Sequence, residues 1–213
     1  MTTPMFLVPG TVWLLLLMAV LAALMDVRLT WQHTRNAPKA LKAGVFTLLV
    51  PVVVAGLSIW AAPRQFPLLV QAALTLALVT PFGPLIYRLA YQSLADASVL
   101  VLLIVSVGVH FALTGLGLYF FGAEGFRNPS FWDERFSMGA LAFSGQTVII
   151  FLASVALIVA LWLFFERSLQ GKALRATAVN RLGARLQGIS SDSAGTLTFT
   201  MAAFIGALSG LLI

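Results

Sequence analysis

The chain has 213 residues, of which 60% are hydrophobic and 9% charged, with a formal net charge of +6. Soluble domains carry about 25% charged residues, so this composition excludes a water-exposed globular surface, and most of the surface must face lipid or other apolar helices. Thirteen Lys and Arg are too thinly spread for a nucleic-acid interface, and no nucleic-acid partner is expected. The absence of Cys excludes disulfides, thiol catalysis and Cys-ligated metals.

Six apolar runs lie at about 5–25, 45–62, 67–87, 98–121, 147–165 and 195–213. Each is near the roughly 20 residues that a helix needs to cross the hydrocarbon core. Alternation at period two is missing and the runs are too long for barrel strands, so the expected fold is all-α, a polytopic transmembrane helical bundle of about six spans. The first run does not read as a secretory signal, because Met1–Pro4 has no basic residue and the positive charges follow the run.

The connections set the expected orientation. Arg28, Arg35, Lys39 and Lys42 lie between the first two runs, Arg88 follows the third, and Arg167, Lys172, Arg175, Arg181 and Arg185 lie between the fifth and sixth. Alternating spans put these ten on one side and leave Arg64, Arg127 and Arg135 on the other. The positive-inside rule makes the ten-charge side cytoplasmic and places the N-terminus outside.

The third run holds Thr80-Pro81-Phe82-Gly83-Pro84. Two prolines remove ladder donors, so the helix must kink or break there. The break is either a kink tolerated by neighbouring helices or an opening of backbone groups toward a solute, which makes Pro81, Gly83 and Pro84 candidates for a translocation path. His110 is the one ionisable side chain placed well inside a run. It is either hydrogen-bonded to a neighbouring helix or a path residue. Gly206-xxx-Gly210 in the last run has the spacing for close helix approach.

Two connections are long. The external one, 122–146, mixes acids with Phe126, Phe131, Trp132 and Phe136; it reads as an amphipathic interfacial segment or as a docking surface for an external partner. The internal one, 166–194, predicts a short helix over Lys172–Leu186, with Gly183 as its only breaker and Gly188-Ile189-Ser190 as its stop. Leu174, Ala178, Leu182 and Leu186 form one stripe, with Arg181 and Arg185 beside it. Such a helix either rests on anionic lipid headgroups or docks in another protein's groove. No Walker motif is present, since Gly171-Lys172 is followed by Ala173. Zinc-protease motifs and paired intramembrane carboxylates are also missing, so no catalytic centre and no cofactor are expected.

The run 165–189, Phe-Glu-Arg-Ser-Leu-Gln-Gly-Lys-Ala-Leu-Arg-Ala-Thr-Ala-Val-Asn-Arg-Leu-Gly-Ala-Arg-Leu-Gln-Gly-Ile, resembles the cytoplasmic loop of the membrane permeases of branched-chain amino acid (Liv-type) ABC transporters. That family's pattern is roughly G-x-A-x-R-A-x-A-x-N-x-x-x-A-x-x-x-G-I, filled here from Gly171 and Ala173 through Asn180 and Ala184 to Gly188 and Ile189. Tyr87–Leu94 and the Gly206–Gly210 stretch continue the likeness, which covers roughly 84–213. The resemblance implies a permease subunit in a bacterial inner membrane. Its implied partners are a second permease subunit, cytoplasmic ABC ATPase subunits, a periplasmic substrate-binding protein and the lipid membrane. It further implies that Gly171, Lys172, Arg175, Ala176, Asn180, Arg181, Ala184, Arg185 and Gly188 are ATPase-coupling residues, which turns the docking reading of the internal helix into the expected one. The family's glycine-rich start, ending in an Asn-Phe-Ala-His-Gly-like segment, has no counterpart in 1–66. The expected organisation is therefore two N-terminal spans over 1–66 and a four-span permease region over 67–213, the whole being either a divergent short form or, the favoured reading, part of a longer permease. A membrane scaffold or assembly subunit, and an ion-coupled carrier centred on His110, are the competing expectations.

Overall fold

A computed structural model describes residues 10–213 apart from 65, 96, 125–129, 133 and 139–140. Among the described residues, six helices are long and apolar enough to cross a membrane: Gly10–Gln32, Ala37–Ala61, Leu68–Leu94, Val99–Phe121, Gly145–Arg167 and Ser191–Leu212. Their number and order match the apolar runs, but their ends do not. Helix α1 (Gly10–Thr34) continues past residue 25, and α2 (Ala37–Ala61) begins well before 45. Hydropathy marks only the apolar stretch of a helix, whereas the backbone ladder continues through Asp26, Arg28, Lys39 and Lys42. Arg35 and Asn36 alone connect α1 to α2, with Arg35 at φ 47°.

The third span is a chain of short pieces: α3 (Leu68–Val79), α4 (Phe82–Ile86), a π-helical turn (Tyr87–Tyr91) and a 3-10 turn (Gln92–Leu94). Thr80 and Pro81 between α3 and α4 keep helical dihedrals, so the prolines thin the hydrogen-bond ladder without ending the helical path. Helix α5 (Val99–Phe121) is capped by the Ser98 hydroxyl and has no buried residue, as expected of a helix that is apolar all round and faces lipid.

The chain divides into two compact units. The first comprises residues 1–125 and 195–207, and its core forms around α1. Val12, Leu15, Met18, Ala19 and Ala22 recur at helical spacing on one face of α1 and pack with Ala55, Leu78, Phe82 and Leu85. Water is not what such helices escape in a bilayer, so tight van der Waals fit has to hold them together, and small residues make that fit possible. A Cβ on Gly44 would lie 2.6 Å from Val27 Cγ2, one on Gly83 2.2 Å from the Phe199 carbonyl oxygen, and one on Gly195 2.3 Å from the Tyr87 ring. Residues 195–207 of α9 (Ser191–Leu212) therefore press against α4 and the π turn at glycines. The Gly206-xxx-Gly210 pair does not serve this purpose: a Cβ at either position meets nothing within 4 Å.

The second unit comprises 126–194 and 208–213. It holds α6 (Gly145–Arg167), α7 (Leu169–Val179) and α8 (Arg181–Leu186). It also contains an antiparallel hairpin, β1 (Arg135–Met138) and β2 (Leu141–Ser144), with Arg135 opposite Ser144 and Met138 opposite Leu141. The connection 122–146 is thus partly a hairpin, a small exception among otherwise helical described residues. Aromatic pairing explains the strand choice: Phe136 stacks on Phe143 across the ladder at 6.1 Å and meets Trp132 edge-on at 5.0 Å.

Gly83→Val should lower the unfolding midpoint in detergent by the equivalent of about 1–3 kcal/mol, because the Phe199 backbone cannot move aside. Gly206→Ala should stay within about 0.5 kcal/mol of wild type. Differential scanning fluorimetry of both variants checks the contrast, and equal midpoints would remove Gly83 from the packing account.

Candidate functional site

The thinned third span forms one wall of a cavity of about 530 Å³ within the first unit. Leu76, Ala77, Thr80, Pro84 and Arg88 line it at three- and four-residue steps, and α2 supplies Thr47, Pro51 and Val54 at the same kind of spacing. Thr200 and Phe204 of α9 close a further side. The size falls within the range of small-molecule sites, which are mostly apolar with a few placed polar groups. That description fits: Thr47, Thr80, Thr200 and Arg88 are the polar side chains among the lining residues.

Arg88 is held from two directions. Its Nη1 donates to Asp26 Oδ2 at 2.7 Å and to Thr47 Oγ1 at 2.6 Å, while the Thr47 hydroxyl donates to the same Asp26 oxygen. One carboxylate of α1, one hydroxyl of α2 and one guanidinium of the third span thus form a closed set, with side-chain exposures of 20% for Asp26 and 32% for Arg88. A charge among apolar helices is costly unless paired and hydrogen-bonded; here each charge supplies the other's partner. The backbone under Arg88 is fixed as well. Tyr87 is buried, its ring 5.4 Å from that of Phe199, and the Tyr91 ring lies 4.7 Å from Phe199 while its hydroxyl reaches Ser106 Oγ at 2.9 Å. π turns are rare and recur at functional positions, where they re-aim a side chain; this one carries Arg88.

The second unit presents a different surface. Ser168 ends α6 and starts α7: its hydroxyl donates to the Phe164 carbonyl at 2.6 Å and accepts from Gly171 N at 2.9 Å. Gly171 is required at this corner, because a Cβ there would sit 2.3 Å from the Phe164 carbonyl oxygen. Arg175 reaches back to the Phe165 carbonyl oxygen at 2.5 Å and to Glu166 at 3.3 Å, so the cation also meets the negative end of α6. Asn180 adopts an extended conformation and caps α8, its Oδ1 accepting from Gly183 N at 2.9 Å. Gly188, at φ 81°, stops α8 in a Schellman arrangement, with Gly188 N bonded to Arg185 O and Ile189 N to Ala184 O. Arg185 Nε then donates to Ser191 Oγ at 2.8 Å.

Two expectations change here. The helix expected over 172–186 is two helices broken at Asn180, because the Asn side chain satisfies the new helix start better than a continued ladder would. The stripe Leu174, Ala178, Leu182, Leu186 is therefore split between α7 and α8, and the apolar side chains most open to solvent are Val179 (88%), Leu182 (70%) and Leu186 (80%) with Leu169. The second change concerns intramembrane charge. Asp26, Arg28, Lys39, Lys42 and Arg88 all lie within membrane-length helices, because those helices run on past the apolar runs.

Of the path candidates, Pro81 and Pro84 line the cavity. Gly83 is buried against the Phe199 backbone, and His110 lies on an exposed face of α5 beside Phe111 and is not a lining residue. Of the coupling candidates, Gly171 and Ala184 are buried, whereas Lys172, Arg175, Ala176, Asn180, Arg181, Arg185 and Gly188 are exposed. Sequence reasoning missed Asp26, Thr47, Thr200 and Phe204. A helical reading carried past residue 25 would have flagged Asp26, but its pairing with Arg88, 62 residues away, has no local signal.

The closed set makes a measurable claim. Asp26→Ala should cost about 2 kcal/mol, less than the loss of a fully buried pair because both groups are partly exposed. Arg88→Ala should cost clearly less in that background than alone, giving a coupling of about 1–2 kcal/mol in a double-mutant cycle read by unfolding in micelles. Additive losses would mean that the two residues act independently.

The family of the branched-chain amino acid transport system permease component matches residues 14–213. Among curated proteins, the chain is similar to the high-affinity branched-chain amino acid transport system permease protein BraD of Pseudomonas aeruginosa, 28% identical over 154 residues that cover 69% of this chain and 50% of the relative. It is also similar to the corresponding permease protein LivH of Escherichia coli, 28% identical over 153 residues covering 68% and 50%. No solved structure matches the chain. The chain spans about half the length of these curated relatives, and the family match takes in both of its first two spans. With six membrane-length apolar helices and a match across nearly its whole length, this chain belongs to the branched-chain amino acid transport permease family.

Proposed function

We propose that the protein is a membrane-spanning permease subunit, or part of one, of an ATP-driven importer for branched-chain amino acids or related small solutes in a bacterial inner membrane. It carries out no chemistry. ATP hydrolysis takes place on cytoplasmic ATPase subunits, a second permease subunit completes the pathway, and a periplasmic binding protein delivers the solute. The N-terminus lies outside, so that the α6–α8 connection faces the ATPases and the hairpin, with Trp132 packed on its Phe136, faces the binding protein.

The observation that supports this reading best is the arm formed by α7 and α8. Its Ser168–Gly171 corner and Arg175 contacts fix it to the end of α6, while Val179, Leu182 and Leu186 stand exposed beside basic residues. A rigid arm with an apolar tip suits insertion into a partner's groove, because docking then costs little ordering entropy. Movement of the partner would be passed to α6 instead of being absorbed in a soft loop. Lys172, Ala176, Arg181 and Arg185 offer contacts on this surface, whereas Gly171, Arg175, Asn180, Ala184 and Gly188 hold its shape. The cavity beside Pro81 and Pro84 is the part of the solute path that lies in the first unit.

Val179→Asp combined with Leu182→Asp should reduce co-purification of the ATPase subunits at least about tenfold, since two buried apolar anchors are each worth more than 1 kcal/mol at an interface. Membrane insertion and the detergent unfolding midpoint should be unchanged. Normal ATPase recovery with the double variant would refute the docking assignment.

A further inference from the structure

The cavity has a second polar feature besides Arg88, and proline chemistry supplies it. Pro51 lies inside α2, and because it has no N–H, the Thr47 carbonyl four residues earlier loses its ladder donor. Pro81 does the same to the carbonyl of Ala77. All four residues line the one cavity. Pro84 would free Thr80 in the same way, but that carbonyl accepts from Gly83 N at 3.1 Å. The hydroxyls of Thr80 and Thr200 donate backward along their own helices, to the Leu76 carbonyl at 2.6 Å and the Thr196 carbonyl at 2.7 Å. Their hydrogens are thereby committed, and what the two oxygens retain is lone pairs. Away from Arg88 the wall is mostly apolar, and the polar atoms these residues bring to it are acceptors.

Arg88 is the opposite. It has five N–H donors and no acceptor, and both of its bonds to Asp26 and Thr47 leave from Nη1. Asp26 and Arg88 together carry no net charge, so a solute that is itself neutral overall enters without creating an unbalanced charge in an apolar surround. Donor-hungry oxygens, a guanidinium, aliphatic walls and zero net charge together are complementary to a small aliphatic zwitterion.

We propose that the cavity is a two-ended solute site, in which the Thr47 and Ala77 carbonyls freed by Pro51 and Pro81 take an ammonium group and Arg88 takes a carboxylate. Thr80 and Thr200 add acceptors to the ammonium end. Asp26 and Thr47 are positioning residues that hold Arg88 at the other end. This assignment rests on the permease reading, and it adds which groups of the chain meet which end of the solute.

The test uses the full chain in lipid nanodiscs and three probes of one carbon skeleton: L-leucine, 3-methylbutylamine, which lacks the carboxylate, and 4-methylpentanoate, which lacks the ammonium. Arg88→Gln should weaken leucine and 4-methylpentanoate at least about tenfold, the worth of a charge-assisted hydrogen bond, and leave the amine unchanged. Pro81→Ala restores an N–H to the Ala77 carbonyl and should weaken leucine and the amine about fivefold, leaving the acid unchanged. Thr80→Val gives the same pattern without touching the backbone. Equal weakening of all three probes by Arg88→Gln, or no leucine binding to the wild-type chain, overturns the site. ATP-driven leucine uptake by the assembled importer separates the two claims. Wild-type uptake in the Arg88→Gln and Pro81→Ala variants overturns the site and leaves the permease reading standing. Failure of the wild-type assembly to take up leucine removes the permease reading, and probe selectivity of the chain alone would still uphold a zwitterion site.

Discussion

The Asp26–Arg88 ion pair, with Thr47 bridging it, is the constraint on which the first unit depends. Its helices are apolar and loosely buried: α2 and the third span each hide only 17% of their most hydrophobic window. Van der Waals contact between such helices is weakly directional, and many sliding or rotated arrangements would have similar energy. A charge pair in an apolar surround is different, because a displaced partner leaves an unpaired charge. Three helices that must bring one carboxylate, one hydroxyl and one guanidinium together have little freedom of register left. The pair therefore specifies an arrangement more than it contributes net stability.

Proline placement builds on that register. Pro51 and Pro81 sit one turn beyond Thr47 and Ala77, so each loosened turn faces the same cavity. A loosened turn normally weakens a span, since the freed carbonyl has no water to turn to in the hydrocarbon core. Helical dihedrals are nevertheless kept through Thr80 and Pro81, and the Thr80 hydroxyl folds back on its own helix. Polar backbone at membrane depth is tolerated where it lines a cavity. The cavity and the prolines thus account for one another.

Much of this was legible in the sequence, to an extent that follows the range of the forces involved. Span number, an interruption of the ladder at Thr80-Pro81, and the stop at Gly188 rest on local chemistry, and the structure has all three. The split at Asn180 was missed because a single side-chain cap, worth about 1 kcal/mol, outweighs the propensity of the flanking Val179 and Arg181. The Gly206 and Gly210 spacing permits close approach, yet within the described residues close approach occurs at Gly83 and Gly195, since glycine spacing shows where helices can meet and only the fold determines where they do. Asp26, Thr47 and Thr200 were invisible for the same reason: their significance lies in residues far away in the chain.

The second unit shows how a family pattern is converted into geometry. Within the run 165–189, Gly171 is needed where a Cβ would strike the Phe164 carbonyl, Asn180 where α8 must be capped, and Gly188 where the chain turns left-handed. Arg175 joins them by bonding the end of α6. These are shape requirements, so a motif of this kind specifies an arm before it specifies a contact. The residues that would touch a partner, Val179, Leu182 and Leu186, are the ones whose identity the pattern leaves open. In a rigid arm with an apolar tip the two roles are separate, because a substitution at the tip leaves undisturbed the corner that joins the arm to α6.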